Sequence, residues 1–107
     1  MIDKENLSPI QQTVVEQLKL VEDPEIPVNI WDLGLIYDIE ADVQKNIIVT
    51  MTLTSPHCPA AETIPSEVMT AIKNIPEAGT VSVRITFTPP WSEERMSEEA
   101  KLELGFL

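Results

Sequence analysis

Two alternating runs separated by three polar residues constrain this chain more than anything else in it. Tyr37-Asp38-Ile39-Glu40-Ala41-Asp42-Val43 alternates strictly between apolar and polar residues, and Ile47-Ile48-Val49-Thr50-Met51-Thr52-Leu53-Thr54 does so in its second half. A period of two places alternate side chains on one face, the signature of a half-buried strand. The turn Gln44-Lys45-Asn46 is short enough only for a hairpin, so these strands must run antiparallel. A third clean alternation, Val81-Ser82-Val83-Arg84-Ile85-Thr86-Phe87-Thr88, follows a helix-like segment. Strand–helix–strand requires a right-handed crossover, which sets the third strand parallel to the second.

The pattern predicts an α+β fold in the order helix, strand, strand, helix, strand, helix, with a three-stranded mixed sheet and helices on one face. The covered face should carry Tyr37, Ile39, Val49, Met51, Leu53, Val81, Val83, Ile85 and Phe87. Asp38, Glu40, Thr50, Thr52, Ser82, Arg84 and Thr86 should face solvent or a partner.

Ser8-Pro9-Ile10-Gln11 is a helix start: Ser8 can cap, Pro9 suits the first helical position and Gln11 can reach back. Ile10, Val14, Leu18 and Val21 form one apolar stripe, and the helix should stop near Glu22 because Pro24 forces Asp23 into extended geometry. Residues 23–35, with two prolines and a glycine, read as an ordered loop. A second helix is expected from about Pro59 to Asn74, with Pro65 kinking it or delaying its start. Ser92 or Ser97 could cap a last helix to about Leu104, ended by Gly105. Residues 1–7 read as a flexible leader, and residues 8–107 as one domain.

The 107 residues suffice for one modest core, and 43% hydrophobic content separates the chain from a disordered polymer. No apolar run approaches the roughly 20 residues that cross a bilayer, and the polar N-terminus lacks a signal-peptide pattern. Eighteen acidic against seven basic residues give a formal charge of −11. Such a field repels a phosphate backbone and anionic membranes alike, which argues against both as partners. A single cysteine excludes an intrachain disulfide framework, so a reducing, cytoplasmic location is expected.

That cysteine, Cys58, stands between a strand end and a helix start, where helix amides can stabilise a thiolate. Free cysteines are also among the most buried residues, so packing and chemistry both remain open for it. His57 and Cys58 are adjacent and therefore rarely aim at one point. One histidine and one thiol cannot close a zinc or iron–sulfur site, so further ligands would have to come from a second copy, a partner or a small thiol. Asp23-Pro24-Glu25 could bring carboxylates near the thiol or could be a simple turn, and Asp32-Leu33-Gly34 reads as a turn before the first strand. No phosphate loop or nucleotide fingerprint occurs. Trp91, after two prolines, suits a packing anchor.

Taken together, Asp23-Pro24-Glu25-Ile26-Pro27-Val28, Asp32-Leu33-Gly34-Leu35-Ile36, and Thr52-Leu53-Thr54 leading to Cys58-Pro59 resemble the SufT-like and PaaD-like family of iron–sulfur assembly proteins. Pro89-Pro90-Trp91, Met96-Ser97 and Leu104-Gly105 extend the resemblance, which covers about residues 10–107. It implies an architecture like the C-terminal domain of NifU-type scaffolds and an accessory role in iron–sulfur protein maturation. It also implies that Cys58 is the reactive or metal-binding thiolate, with Asp23 close by and Glu25, Asp32, Thr54 and Pro59 on other motif positions. His57 would support the same site. The implied cargo is iron or an iron–sulfur cluster, transient and shared between subunits. The implied partners are scaffold, carrier or client proteins, or a second copy in a homodimer.

The chain departs from these families in three places. NifU-type domains carry a Cys-x-x-Cys pair where this chain has one cysteine. It has no cysteine-rich C-terminal extension of the kind common in PaaD-like members, which favours a SufT-like role. Pro65 stands where the family helix usually continues. Two alternatives come from other classes: a thiol-dependent enzyme with Cys58 as nucleophile and His57 or Asp23 as base, and an interaction module using the polar sheet face.

Overall fold

The computed structural model describes residues 5–23, 28–53 and 60–105, with the side chains of 60–63 excepted. Helix α1 (Pro9–Leu18) is followed by strands β1 (Ile36–Ala41) and β2 (Ile47–Met51). Helix α2 (Ala60–Lys73), strand β3 (Val81–Ile85), a 3₁₀ turn (Glu93–Arg95) and helix α3 (Glu98–Glu103) complete the order. The sheet order is β1-β2-β3, antiparallel for the first pair and parallel for the second. This is the mixed α+β arrangement that the alternating runs require.

Helix α1 begins as its sequence dictates. Ser8 Oγ accepts from the Gln11 amide at 3.3 Å, and Gln11 Oε1 accepts from the Ser8 amide at 2.9 Å. This reciprocal cap satisfies donors that the first helical turn leaves without partners. Val14, Val15 and Leu18 are buried. The helix ends at Leu18, short of Glu22, because the chain tightens: Leu20 donates to the Gln17 carbonyl and Val21 to that of Leu18, each at 3.1 Å. Val21 is thereby freed to accept from the Ile30 amide at 2.9 Å. Helix α2 runs through Pro65, with Ile64, Val68 and Ile72 fully buried. The last helix is split. Ser92 makes no capping bond to the 3₁₀ turn, whereas Ser97 accepts from Ala100 and caps α3.

The β1–β2 turn is organised by Asp42, whose carboxylate accepts from the Gln44 amide at 2.9 Å and from the Asn46 amide and side chain at 3.0 Å each. Lys45 takes a left-handed φ of 61° there. Asn46 Oδ1 in turn accepts from the Thr80 amide at 2.9 Å, and Gly79 donates to the Lys45 carbonyl at 2.8 Å, so the start of β3 is tied to the hairpin.

Ile36, Ile39, Ile47, Val49, Met51 and Val81 lie in one core with residues of α1 and α2. Three expectations for the sheet change. A register shift between Ile36 and Asp38 takes Tyr37 out of the alternation, so Ile36, not Tyr37, shares the covered face with Ile39. Thr52, expected on the solvent side, is fully buried, because the chain leaves β2 there and its amide donates to the Leu35 carbonyl at 2.8 Å. Ile85 and Phe87, expected under helices, are 39% and 43% exposed.

Candidate functional site

The loop from Val21 to Leu35 is part of the core. Val28 is nearly buried, and Ile30, Leu33 and Leu35 are fully so. Its backbone forms a relay between α1 and β2. The Thr52 amide donates to the Leu35 carbonyl at 2.8 Å, Leu35 to Ile30 at 3.2 Å, and Ile30 to Val21 at 2.9 Å. Glu22 and Asn29 form an antiparallel bridge, and Asp23 donates its amide to the Val28 carbonyl at 3.3 Å. Two motif segments therefore spring from one buried support. Asp23 stands two residues after Val21, and the run toward Cys58 begins two residues after Thr52. Thr52 and Leu53 are buried at the root of that run, and α2 starts at Ala60 beyond it. Glu25, Thr54, His57, Cys58 and Pro59 lie outside the described residues.

Asp23 is only 4% exposed, a degree of burial rare for a carboxylate unless it is partnered. The sequence placed it in a turn, and nothing in the local pattern announced its burial.

Asp32 has a different task. Its backbone amide donates to Asn29 Oδ1 at 2.9 Å, and its Oδ2 accepts from Asn29 Nδ2 at 2.6 Å. Its carbonyl accepts from the Ser97 amide at 2.8 Å. Asp32 thus fixes the loop and receives the C-terminal segment. It lines a polar recess of about 180 Å³ with Lys19, Glu22, Asn29, Glu99 and Glu103, and Asp23 is not among the walls. Asn29, three residues before Asp32, was missed in the sequence; that spacing of amide and carboxylate is the signal that could have found it.

The C-terminal segment is strapped over the Asp32–Tyr37 stretch. Trp91 Nε1 donates to the Leu33 carbonyl at 2.6 Å, and the Tyr37 hydroxyl donates to the Pro89 carbonyl at 2.7 Å. The Arg95 guanidinium lies 4.7 Å from the centre of the Tyr37 ring. Trp91 is thus the packing anchor that its place after two prolines suggested. Among the described residues no group of three or more His, Cys, Asp or Glu side chains gathers to hold a metal.

Residues 11–90 match the family described as iron–sulfur cluster assembly protein. The chain is 46% identical over 97 residues to an Fe–S protein maturation auxiliary factor of Porphyromonas gingivalis, covering 91% of this chain and 92% of that one. It is 41% identical over 96 residues to the Fe–S protein maturation auxiliary factor YitW of Bacillus subtilis, covering 90% and 94% respectively. A crystal structure from Bacillus anthracis, described as a domain of unknown function, superposes with a TM-score of 0.87 at 42% identity, covering 92% of this chain and 93% of that one.

Proposed function

The chain belongs to the iron–sulfur cluster assembly protein family, and from that premise we propose that it is an accessory factor in the maturation of iron–sulfur proteins, with Cys58 as its reactive or metal-binding thiolate. The observation that carries this reading is the buried backbone relay from Thr52 through Leu35 and Ile30 to Val21. It links Thr52, six residues before Cys58, to Val21, two residues before Asp23, and this supports a site drawn from both stretches.

In sequence Cys58 stands two residues before Ala60, where α2 begins, and a thiolate held at the positive end of a helix is favoured. Asp23 orders the site from its buried position or offers an oxygen to iron; Glu25, Thr54, His57 and Pro59 complete its surroundings. Iron or an iron–sulfur cluster is the cargo. A single thiolate is an incomplete ligand set, so scaffold, carrier or client proteins in the cytoplasm complete it, and the work is hand-over without turnover.

Anaerobic reconstitution with iron and sulfide tests this. The protein should take up iron and gain visible absorbance, and Cys58→Ser should lose most of both. Equal iron content and absorbance in the two would remove Cys58 as a ligand. A Cys58 alkylated rapidly well below its ordinary pKa of about 8.5, in a protein that takes up no iron, would point to nucleophilic catalysis instead.

A further inference from the structure

The two edges of the sheet are finished differently. On β1 both main-chain groups of Ile39 are engaged by side chains: its amide donates to Asp38 Oδ1 at 2.9 Å, and its carbonyl accepts from Gln11 Nε2 at 2.7 Å. Asp38 and Glu40 add charge to that edge. An edge so capped resists a further strand.

Strand β3 has no such protection. Ile47 donates to the Thr80 carbonyl and Thr86 to that of Met51, so the even-numbered residues of β3 bond to β2. The amides and carbonyls of Val81, Val83 and Ile85 therefore point outward. Among the described residues no side chain caps them. Beside them stand the half-exposed Ile85 and Phe87.

Charge restricts where a second copy could dock. Two copies of a chain with formal charge −11 repel over most of their surface, yet from Gly79 to Ser92 there is no carboxylate side chain. The β3 edge is also self-complementary. In an antiparallel register centred on Val83, Val81 stands opposite Ile85 of a second copy, and Arg84 opposite Ser82, whose hydroxyl accepts from the guanidinium. Each residue with outward main-chain groups meets one with the same pattern, so every such pair exchanges two hydrogen bonds.

We propose that β3 is a docking edge for a second copy of this chain, joining two sheets into one continuous sheet about a two-fold axis at Val83. The joined edge is short, so the dimer is weak, in roughly the tens to hundreds of micromolar range. In this dimer the two β2 strands end at opposite sides of the joined sheet, with their Met51 residues about 20 Å apart from strand spacing and rise. The proposal concerns the β3 edge alone and stands or falls independently of the role of Cys58.

Sedimentation over about 10 μM to 1 mM tests it, with concentration-dependent amide exchange on the same samples. The mass should rise from 12.0 kDa toward twice that value. Protection of the Val81, Val83 and Ile85 amides should rise with it, while Ser82 and Arg84 stay protected throughout. Val83→Pro removes one outward donor and spares the bonds to β2; Ile85→Glu places carboxylates at the joint. Each should weaken association at least about tenfold, with folding checked by circular dichroism. A mass constant at 12.0 kDa to about 1 mM overturns the proposal. So does a dimer that both variants leave intact, or one in which the three outward amides gain no protection.

Discussion

Asp42 shows how one side chain can hold a turn. Hydrogen bonds hold its carboxyl below the usual value of 3.8: first that from the Asn46 amide, then that from the Asn46 side chain, with a smaller one from the Gln44 amide. A group whose pKa falls on folding contributes stability above its unfolded value and loses it as pH drops through the folded one. Asp42→Ala should therefore lower Tm at neutral pH, and the difference from the parent should close as pH falls below the ordinary carboxyl value of 3.8. A thermal melt series in pH checks this, and an unchanged gap at low pH would assign the effect to the turn's shape alone. Asp23 and Asp32, which look alike as motif aspartates, separate at this scale. Asp32 is spent on Asn29 and its carbonyl on Ser97, while Asp23 is buried at the root of a candidate site.

Among the elements, the strap over the Asp32–Tyr37 stretch depends on Gly34. Its φ is +78°, and a Cβ there would run into the carbonyl of Arg95. Gly105 has nearly the same φ of +79° but open space around it. Gly34→Ala should cost about 2–3 kcal/mol from conformation and overlap together, and Gly105→Ala about 1 kcal/mol from conformation alone. Urea unfolding measures both, and equal losses would show that the strap yields to the added methyl group. The hairpin, the crossover and the Ser8 cap were legible because each rests on near neighbours: alternation, a three-residue turn and an i,i+3 pair. The register shift at Tyr37 was not. The partner of its hydroxyl, the Pro89 carbonyl, lies 52 residues away. The cap of the last helix by Ser97 was legible, whereas the 3₁₀ turn Glu93–Arg95 before it was not.

At the scale of the whole molecule, the formal charge of −11 works against compactness. Only one ion pair is present among the described residues, Lys45 with Glu77 at 3.2 Å, and both side chains are largely exposed. Screening should therefore stabilise the fold. Tm is expected to rise between about 20 mM and 0.5 M sodium chloride, where the Debye length falls from roughly 20 to 4 Å. A fall over that range would mean that attractive pairs outweigh the general repulsion. Charge also orders the possible contacts of the molecule, leaving the carboxylate-free β3 edge as the place where two copies meet with least cost.

The sequence by itself determined the order of elements, the mixed sheet and the family. These follow from local periodicity, short connections and ordered motifs that need no knowledge of the third dimension. Only the tertiary structure decided that Thr52 is interior, that Asp23 is buried while Asp32 clamps a loop, and that β1 is closed while β3 is open. Those outcomes turn on hydrogen bonds between residues far apart in the chain, such as Thr52 with Leu35 and Gln11 with Ile39. A pattern of near neighbours carries no record of which distant group arrives to satisfy a buried donor or to leave an edge exposed.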